Sequence, residues 1–283
     1  MDIIFADTAK VHMKYLEEDV TESCPMTLHY HNTHEIMLLV EADNKMFVED
    51  SMVLLRSMQL IHVPPYTIHR IYYKSGSKYK RFVLDFANSY LSPILSALGE
   101  KEMLDEFNNR KISVFDLDSQ EYEKMLAVFS ALYGCCAALQ HGEKEARLRL
   151  GLAGLLMDVH DIFLTRQPDG NGVVLGTLVN GIVDYLSVNF MKNLSLETIE
   201  REFFVSKSYA CHKFKEELGL SMVEYLQATR IAEAQKLLEE GELSIPDICS
   251  QSGFNNIQHF YRVFKKITGT TAGAYQKTSS KGS

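Results

Sequence analysis

The C-terminal part of the sequence contains an internal repeat, which limits the possible folds more than any other feature. Residues 214–225 fit the pattern F-K-x-x-x-G-x-[ST]-x-x-x-Y, and residues 264–275 fit it again 50 positions later. Upstream, residues 194–199 are echoed 49 positions later by residues 243–248, so the second copy contains one extra residue. A duplicated segment of this length predicts two similar supersecondary units in succession.

Each copy begins with the signals of a short helix that ends in a tight turn. Ser195 and Ser244 stand where a side-chain oxygen can cap a helix, and an acidic residue follows each of them in the first turn. These helices are expected to end near Phe203 and Ser252. In the second copy Gly253 follows, and glycine permits the left-handed backbone that a tight turn can require.

A second helix is predicted after each turn. Ser206 and Asn255 are the expected caps, and Gly219 and Gly269 are expected to end these helices. Between the copies, residues 222–240 carry apolar side chains at helical spacing. The sequence therefore predicts two helix-turn-helix units joined by one long helix.

The N-terminal part has a different pattern. Short apolar runs separated by turn residues over residues 1–86 predict the strands of a barrel or sandwich. Residues 119–141 and 143–166 then predict two amphipathic helices, which could pair with each other or with a second chain. Residues 167–172 contain a proline, two glycines, an aspartate and an asparagine, so we expect a linker there.

The segment GFNNIQHFYRVFKKITGTTAGAY, at residues 253–275, resembles the signature of the AraC/XylS family of transcription regulators. The stretch Arg-Ile-Ala-Glu-Ala at residues 230–234 agrees with the same family. The resemblance covers roughly residues 175–277. It implies a DNA-binding domain with two helix-turn-helix units on a shared central helix.

The sequence departs from that family at three positions. Ala272 stands where the family usually has proline, and Glu200 and Cys249 stand where it usually has alanine. The second unit nevertheless agrees with the family better than the first, because the signature at residues 253–275 lies in it.

A recognition helix contacts base edges in the major groove with its outward side chains. Arg262 can contact guanine or a phosphate, and Gln258 suits adenine. The alternative for each position is a solvated helix face. The predicted DNA-binding residues are Lys207, Ser208, Cys211, His212, Asn256, Ile257, Gln258, Arg262 and Lys265.

A second group of polar residues lies near the start of the chain. His29, His31 and Glu35 fit H-x-H-x-x-x-E and would share one face of an extended strand, and His69 follows later. The pattern resembles the metal motif of cupins, whose barrels hold a divalent metal with three histidines and one glutamate. We expect these four residues to bind an organic ligand, without a metal or cofactor; a bound metal and purely structural hydrogen bonding are the alternatives. His34 is an odd number of positions from His31, so on a strand it would lie on the opposite face, and it is expected to face outward.

The expected fold class is α+β with several domains. Residues 1–110 would form a cupin-like β-barrel sensor that binds the ligand. Residues 111–172 would form a helical dimerisation segment and linker, and residues 173–283 an all-α domain with two helix-turn-helix units.

Composition agrees with a soluble, cytoplasmic protein. Charged residues make up 23%, the net charge is −8, and the five cysteines form no CxxC motif. The first residues lack the pattern of a signal peptide. No acidic residue follows Asp247, whereas five basic residues do, which is a weak sign of a surface that contacts phosphates.

We therefore expect a transcriptional regulator that is not an enzyme and whose barrel senses a small molecule, such as a sugar or another metabolite. The expected partners are double-stranded promoter DNA, the effector and a second copy of the chain, with RNA polymerase as a further candidate and no membrane. Two alternatives remain open. One is a metal-dependent cupin enzyme with a helical appendage, and the other is a scaffold that has lost DNA binding.

Overall fold

The computed structural model describes residues 4–6, 11–19, 28–48, 51–137, 143–166, 172–173 and 177–279. Almost all of the predicted linker at residues 167–172 lies outside these ranges, as does Cys24. Among the residues that are described, no helix is both long enough and apolar enough to cross a bilayer.

The strands form two sheets, which we call the β-domain. In chain order they are β1 (Ile4–Ala6), β2 (Val11–Asp19), β3 (His29–His31), β4 (His34–Glu41), β5 (Asp43–Val48), β6 (Ser51–Arg56), β7 (Gln59–Val63), β8 (His69–Tyr72), β9 (Lys78–Phe86), β10 (Ser113–Asp116) and β11 (Gly172–Val173). One sheet has the order β1-β3-β8-β5-β6-β11, and the other has the order β10-β7-β4-β9-β2.

The two sheets share an apolar core. Met37 and Leu39 of β4 belong to the same buried cluster as Met46 of β5 and Val53 of β6, so side chains of both sheets meet there. Because side chains alternate along a strand, each sheet also has an outer face. Both outer faces are covered, but by different parts of the chain.

Four helices cover the outer face of the five-stranded sheet: α1 (Asn88–Leu98), α2 (Lys101–Asn109), α3 (Ser119–Ala137) and α4 (Glu143–Thr165). Phe82 and Leu84 of β9 pack with Phe129 of α3 and Leu152 of α4 in one buried cluster. The predicted helices at 119–141 and 143–166 therefore pair with each other within the chain and lie on the sheet. Strand β10, between α2 and α3, was not predicted.

Helices α3 and α4 approach each other closely at Gly151. A Cβ atom at this position would lie 2.8 Å from Cδ2 of Leu132. Lys124 of α3 also donates to Asp158 of α4 at 2.6 Å. The apolar spacing that predicted these helices thus serves their mutual packing.

The C-terminal part is all-α, as predicted. Its helices are α5 (Thr177–Asn189), α6 (Leu196–Phe203), α7 (Lys207–Leu218), α8 (Met222–Glu240), α9 (Ile245–Gln251), α10 (Ile257–Thr268) and α11 (Ala272–Ser279). Helices α6 and α7 form the first unit, α9 and α10 form the second unit, and α8 joins them. The predicted order of strands, helices and two helix-turn-helix units is confirmed.

The predicted caps are confirmed with one exception. Ser195, Ser206 and Ser244 each accept a hydrogen bond from a backbone N–H in the first turn of the following helix. In the second unit the cap of α10 is Asn256, and the prediction of Asn255 was wrong. The extra residue of the second copy lies in the turn, which moves the cap by one position.

The outer face of the six-stranded sheet packs on the first unit. Tyr30 of β3 and Phe47 of β5 belong to the same buried cluster as Phe214 and Leu218 of α7. The second unit has a separate core around Phe260, Phe264 and α8 residues. The first unit is therefore stabilised by the β-domain as well as by its own helices.

The turn of the second unit depends on Gly253. Its φ is +86°, and an added Cβ would lie 2.6 Å from the carbonyl oxygen of Phe190 and 2.8 Å from Cα of Met191. Both neighbouring atoms are backbone, so they cannot move aside as a flexible side chain could.

We expect Gly253→Ala to lower the free energy of unfolding by more than about 2 kcal/mol, because a backbone clash adds to the roughly 1–2 kcal/mol that left-handed φ costs an alanine. Gly269→Ala is the matched control, since its φ is +75° and nothing lies within 4 Å of the added Cβ. Denaturant titration of both variants measures the difference. Equal losses would show that the close approach at Gly253 has no energetic role.

Candidate functional site

The predicted DNA-binding residues of the first unit lie on α7 and mostly face solvent. Lys207, Ser208 and His212 are exposed, and Cys211 is half-buried. Ala210, Phe214 and Leu218 form the buried face of the same helix. The helix thus presents one polar face outward, as the repeat predicts.

The corresponding residues of the second unit lie on α10. Gln258, Arg262 and Lys265 are exposed, and Ile257 is half-buried at the start of the helix. The buried residues of α10 are Phe260, Val263 and Phe264.

Asn256 has a structural role that the sequence analysis did not assign. Its side-chain oxygen accepts the backbone N–H of His259 at 2.9 Å and so caps α10. A bidentate contact to adenine uses both the oxygen and the nitrogen of an amide. Asn256 would have to give up the cap to make such a contact.

The two recognition helices, α7 and α10, differ in their charge environment. Lys207 lies 3.1 Å from Glu197, and His212 lies 3.8 Å from Glu216. By contrast, Arg262 and Lys265 make no ion pair within 4.0 Å among the residues that the structure describes. The second unit therefore offers cations that are not already paired with a carboxylate.

Glu200 and Cys249, which depart from the AraC/XylS pattern, fit the structure without difficulty. Glu200 is exposed on α6, so its charge remains in solvent. Cys249 is buried, and its thiol donates to the carbonyl oxygen of Phe254 at 3.5 Å. Neither residue disturbs the packing of its unit.

The structure brings His29, His31, Glu35 and His69 together between the two sheets. His31 and Glu35 do not share one strand, because β3 ends at His31 and β4 begins at His34 in the other sheet. Nε2 of His31 nevertheless lies 3.0 Å from Oε2 of Glu35, and Nε2 of His69 lies 3.7 Å from the same oxygen. The rings of His29 and His69 are 4.3 Å apart between centroids.

Asp85 lies beside these four residues, although the sequence did not predict it. We call the group of His29, His31, Glu35, His69 and Asp85 the histidine cluster. Asp85 is the register partner of Glu35 across β4 and β9, so both carboxyl groups face the space between the sheets. An aspartate at an inward position of the apolar strand KRFVLDF is the signal that could have revealed it.

Charges within the histidine cluster depend on one another. Burial and the charge of Glu35 raise the pKa of Asp85 to about 7. Burial alone would raise the pKa of Glu35, but the hydrogen bond from His31 and the charges of His31 and His69 bring it well below its usual range. Burial opposes protonation of His31, yet Glu35 raises its pKa on balance. Near neutral pH the cluster therefore combines an ionised Glu35, a more basic His31 and an Asp85 that titrates.

The donor set could also hold a cation. The ligand atoms of His29, Glu35 and His69 lie within 4.8 Å of one another, as do those of His31, Glu35 and Asp85. Nδ1 of His69 contacts the carbonyl oxygen of Thr67 at 2.8 Å, and its buried Nε2 has no hydrogen-bond partner. Nε2 of His69 can thus accept a hydrogen bond from a polar ligand or coordinate a metal such as Fe, Mn, Zn or Ni. All three sequence-based interpretations of the cluster remain compatible with this geometry.

His34 does not face solvent, so that prediction was wrong. It lies on the outer face of the five-stranded sheet, as its parity requires, but helices cover this face and the side chain is fully buried. Nε2 of His34 donates to Asn88 at 2.9 Å, and its Nδ1 lies 3.0 Å from Nε2 of His62. When both rings are neutral, Nε2 of His62 donates to Nδ1 of His34, and the buried Nδ1 of His62 has no hydrogen-bond partner among the described residues.

Burial lowers the pKa of His34 to about 4. His34 in the unfolded chain therefore binds a proton near pH 6.5, whereas in the folded chain it binds one only near pH 4. As the pH falls from about 6.5 to about 4, this difference lowers the free energy of unfolding. We expect His34→Asn to reduce the pH dependence of the free energy of unfolding by about 1.4 kcal/mol per pH unit there. Denaturant titrations at several pH values measure it.

His212→Asn is the matched control, because His212 is exposed on α7. Its stability should follow that of the unsubstituted protein at every pH. A His34→Asn variant whose pH dependence equals that of the control would contradict the role of the buried pair.

Comparison with known proteins identifies the C-terminal part. Residues 199–278 match the family described as "Helix-turn-helix domain". YdiP of Escherichia coli K12, an uncharacterised HTH-type transcriptional regulator, is 32% identical over 100 residues, which are 35% of this chain and 33% of YdiP. The chain thus spans about a third of that relative, and 13% to 19% of others from Bacillus subtilis and Staphylococcus aureus.

Two solved structures are also similar. The C-terminal domain of AraT, a response regulator from Geobacillus stearothermophilus, is 30% identical, with coverage of 37% of this chain and 87% of that one and a TM-score of 0.36. ToxT from Vibrio cholerae is 13% identical, with coverage of 95% and 98% and a TM-score of 0.40.

The fold and the matched sequence define a duplicated helix-turn-helix domain, a class of DNA-binding module. This C-terminal part is similar to HTH-type transcriptional regulators, in agreement with the resemblance of residues 175–277 to the AraC/XylS family.

Proposed function

We propose that the protein is a sequence-specific transcriptional regulator that binds promoter DNA with both helix-turn-helix units. One observation carries this proposal: two similar units share helix α8, and each exposes the polar face of its second helix. Such helices enter the major groove, and half-sites for two of them on one domain are separated by about one helical turn, roughly 34 Å. The site would be asymmetric, because the two helices carry different residues.

The two units would contribute differently. Arg262 and Lys265 of α10 would contact the DNA with little loss of existing ion pairs. Lys207 of α7 would first have to leave Glu197, and Glu197 would repel nearby phosphates. The second unit would therefore supply more of the affinity, and the first would rely more on DNA shape.

The β-domain, most of which lies in the proposed sensor of residues 1–110, would bind the small-molecule effector. The histidine cluster offers an ionised carboxylate and imidazoles between the sheets, which suits a polar metabolite such as a sugar. Binding would shift an equilibrium between arrangements of the two domains. A dimer through residues 111–172, contact with RNA polymerase and a cytoplasmic location complete this proposal.

Selection of bound sequences from a random DNA pool, with and without candidate sugars, tests the function. We expect enrichment of one asymmetric site with two half-sites. Affinity for that site should fall as salt increases, because cations on the protein replace counterions on the phosphates. Failure to enrich any sequence, together with affinity that ignores salt, would reject the proposal.

We expect Arg262→Ala to weaken binding to the selected site by about 10- to 100-fold and to relax specificity at one position, as for loss of a base contact worth about 1–3 kcal/mol. Lys265→Ala should weaken binding equally for all sequences and reduce the salt dependence by about one charge. Lys124→Ala, on α3 in the N-terminal part, is the control and should bind normally. Unchanged binding by the Arg262 variant would favour a scaffold over a regulator.

A metal-dependent cupin enzyme is the second candidate, and the grouping of His29, Glu35 and His69 favours it. This candidate requires metal that copurifies with the protein and is lost in His31→Ala. The regulator requires neither outcome. Metal analysis of the purified chain and of that variant separates the two candidates.

A further inference from the structure

We propose that strand β8 of the β-domain positions the first recognition helix, α7, so that the β-domain controls how the first half-site is read. The residues responsible are Arg70 and Tyr72, neither of which the sequence pattern singles out. This inference rests on the proposed function, since it concerns the regulation of the same DNA-binding surface.

Strand β8 has two faces with different partners. His69 points between the sheets and joins the histidine cluster, and Ile71 belongs to the core between the sheets. Arg70 and Tyr72 point the opposite way, toward the helices of the first unit. One short strand thus connects the candidate ligand site with the DNA-binding part.

Tyr72 holds the C-terminal end of α7. Its hydroxyl donates to the carbonyl oxygen of Glu217 at 3.0 Å. Glu217 lies in the last turn of α7, where backbone carbonyls have no partner within the helix. The β-domain therefore supplies a capping hydrogen bond that the helix itself cannot make.

Arg70 adds a buried positive charge at the same end. Its guanidinium nitrogens lie 3.2 and 3.5 Å from the position that a Cβ on Gly219 would occupy. Gly219 is the C-cap of α7 with φ of +70°, so its lack of a side chain permits both the left-handed turn and the approach of Arg70. A cation is favourable there because the C-terminal end of a helix carries partial negative charge.

Tyr30 makes a parallel connection from the neighbouring strand. β3 pairs with β8 at His29 and His69, and both of these histidines belong to the cluster. From the outer face of β3, the hydroxyl of Tyr30 donates to Gln235 of α8 at 2.7 Å, and both side chains are fully buried. The pair of strands β3 and β8 therefore carries the cluster on one face and holds the first unit and α8 on the other.

The second unit meets the β-domain differently. The hydroxyls of Tyr66 and Tyr275 lie 3.2 Å apart, which connects α11 with the loop before β8, and β1 runs beside α10. The end of α10 is capped at Gly269, where nothing lies within 4 Å of an added Cβ. Strand β8 itself thus contacts α7 through Tyr72, whereas α10 and α11 are contacted by β1 and by the loop before β8.

The test uses the full chain, the DNA fragment obtained by selection, and two derivatives with one half-site scrambled in each. If scrambling one half-site does not lower the affinity of the Arg262→Ala variant any further, that half-site is assigned to α10. We expect Tyr72→Phe to reduce discrimination against the fragment scrambled in the first half-site by about 3- to 10-fold, the effect of one hydrogen bond. Discrimination at the second half-site should stay unchanged.

Tyr73→Phe is the matched control, because the Tyr73 hydroxyl contacts Arg81 within the β-domain and should leave both ratios unchanged. Arg70→Lys keeps the positive charge and should preserve more discrimination at the first half-site than Arg70→Met. Equal loss at both half-sites in Tyr72→Phe, or no loss at either, would overturn the inference.

Hydrogen exchange without DNA gives a second readout. Tyr72→Phe should speed amide exchange in the last turn of α7 and leave exchange in α10 unchanged. The inference would be overturned if exchange in α7 were the same in Tyr72→Phe, in Tyr73→Phe and in the unsubstituted chain. If selection yields no DNA site, the proposed function fails, while exchange still decides whether β8 positions α7.

Discussion

One side chain of α8, Arg230, joins the loop just before the first helix-turn-helix unit to the turn of the second unit. Beyond the end of α5, Arg230 donates to the carbonyl oxygens of Phe190 and Lys192 at 2.7 and 2.8 Å. Its guanidinium also lies 5.6 Å from the ring of Phe254, in the turn between α9 and α10. The turn itself packs on the backbone of Phe190, which only a glycine at position 253 allows. These contacts tie the two units to one frame, so the spacing of their recognition helices is set by packing rather than by a flexible linker.

The same principle of shared faces organises the β-domain. Strands of both sheets contribute side chains to the core between the sheets and, on the opposite face, to a layer of helices. The five-stranded sheet uses its outer face for α1–α4, and the six-stranded sheet uses its outer face for the first unit. The polar cluster around Glu35 lies within the shared core. Any change there must be accommodated by strands whose other faces are already packed.

Local signals in the sequence predicted the two helix-turn-helix units and the long helix that joins them. Capping serines, the glycine of the second turn and the repeat spacing all act within a few residues, so they can be seen without the fold. Contacts between distant segments could not be predicted in this way. The parity of His34 was correct, but nothing nearby shows that α1 and α2 cover its face. Arg70 and Asp85 gain their roles only when β8 meets α7 and β9 meets β4.

The first unit has more need of outside support than the second. Its turn places Phe204 at φ of +54°, a conformation that costs a residue with a side chain roughly 1–2 kcal/mol, where the second unit has Gly253. Phe204 is also 94% exposed, so its ring gains little from packing. Packing of Tyr30 and Phe47 on the first unit offsets such a cost. When contacts with another domain stabilise a unit, changes in those contacts can also move it. The first unit, rather than the second, is therefore the place where a signal from the β-domain would act.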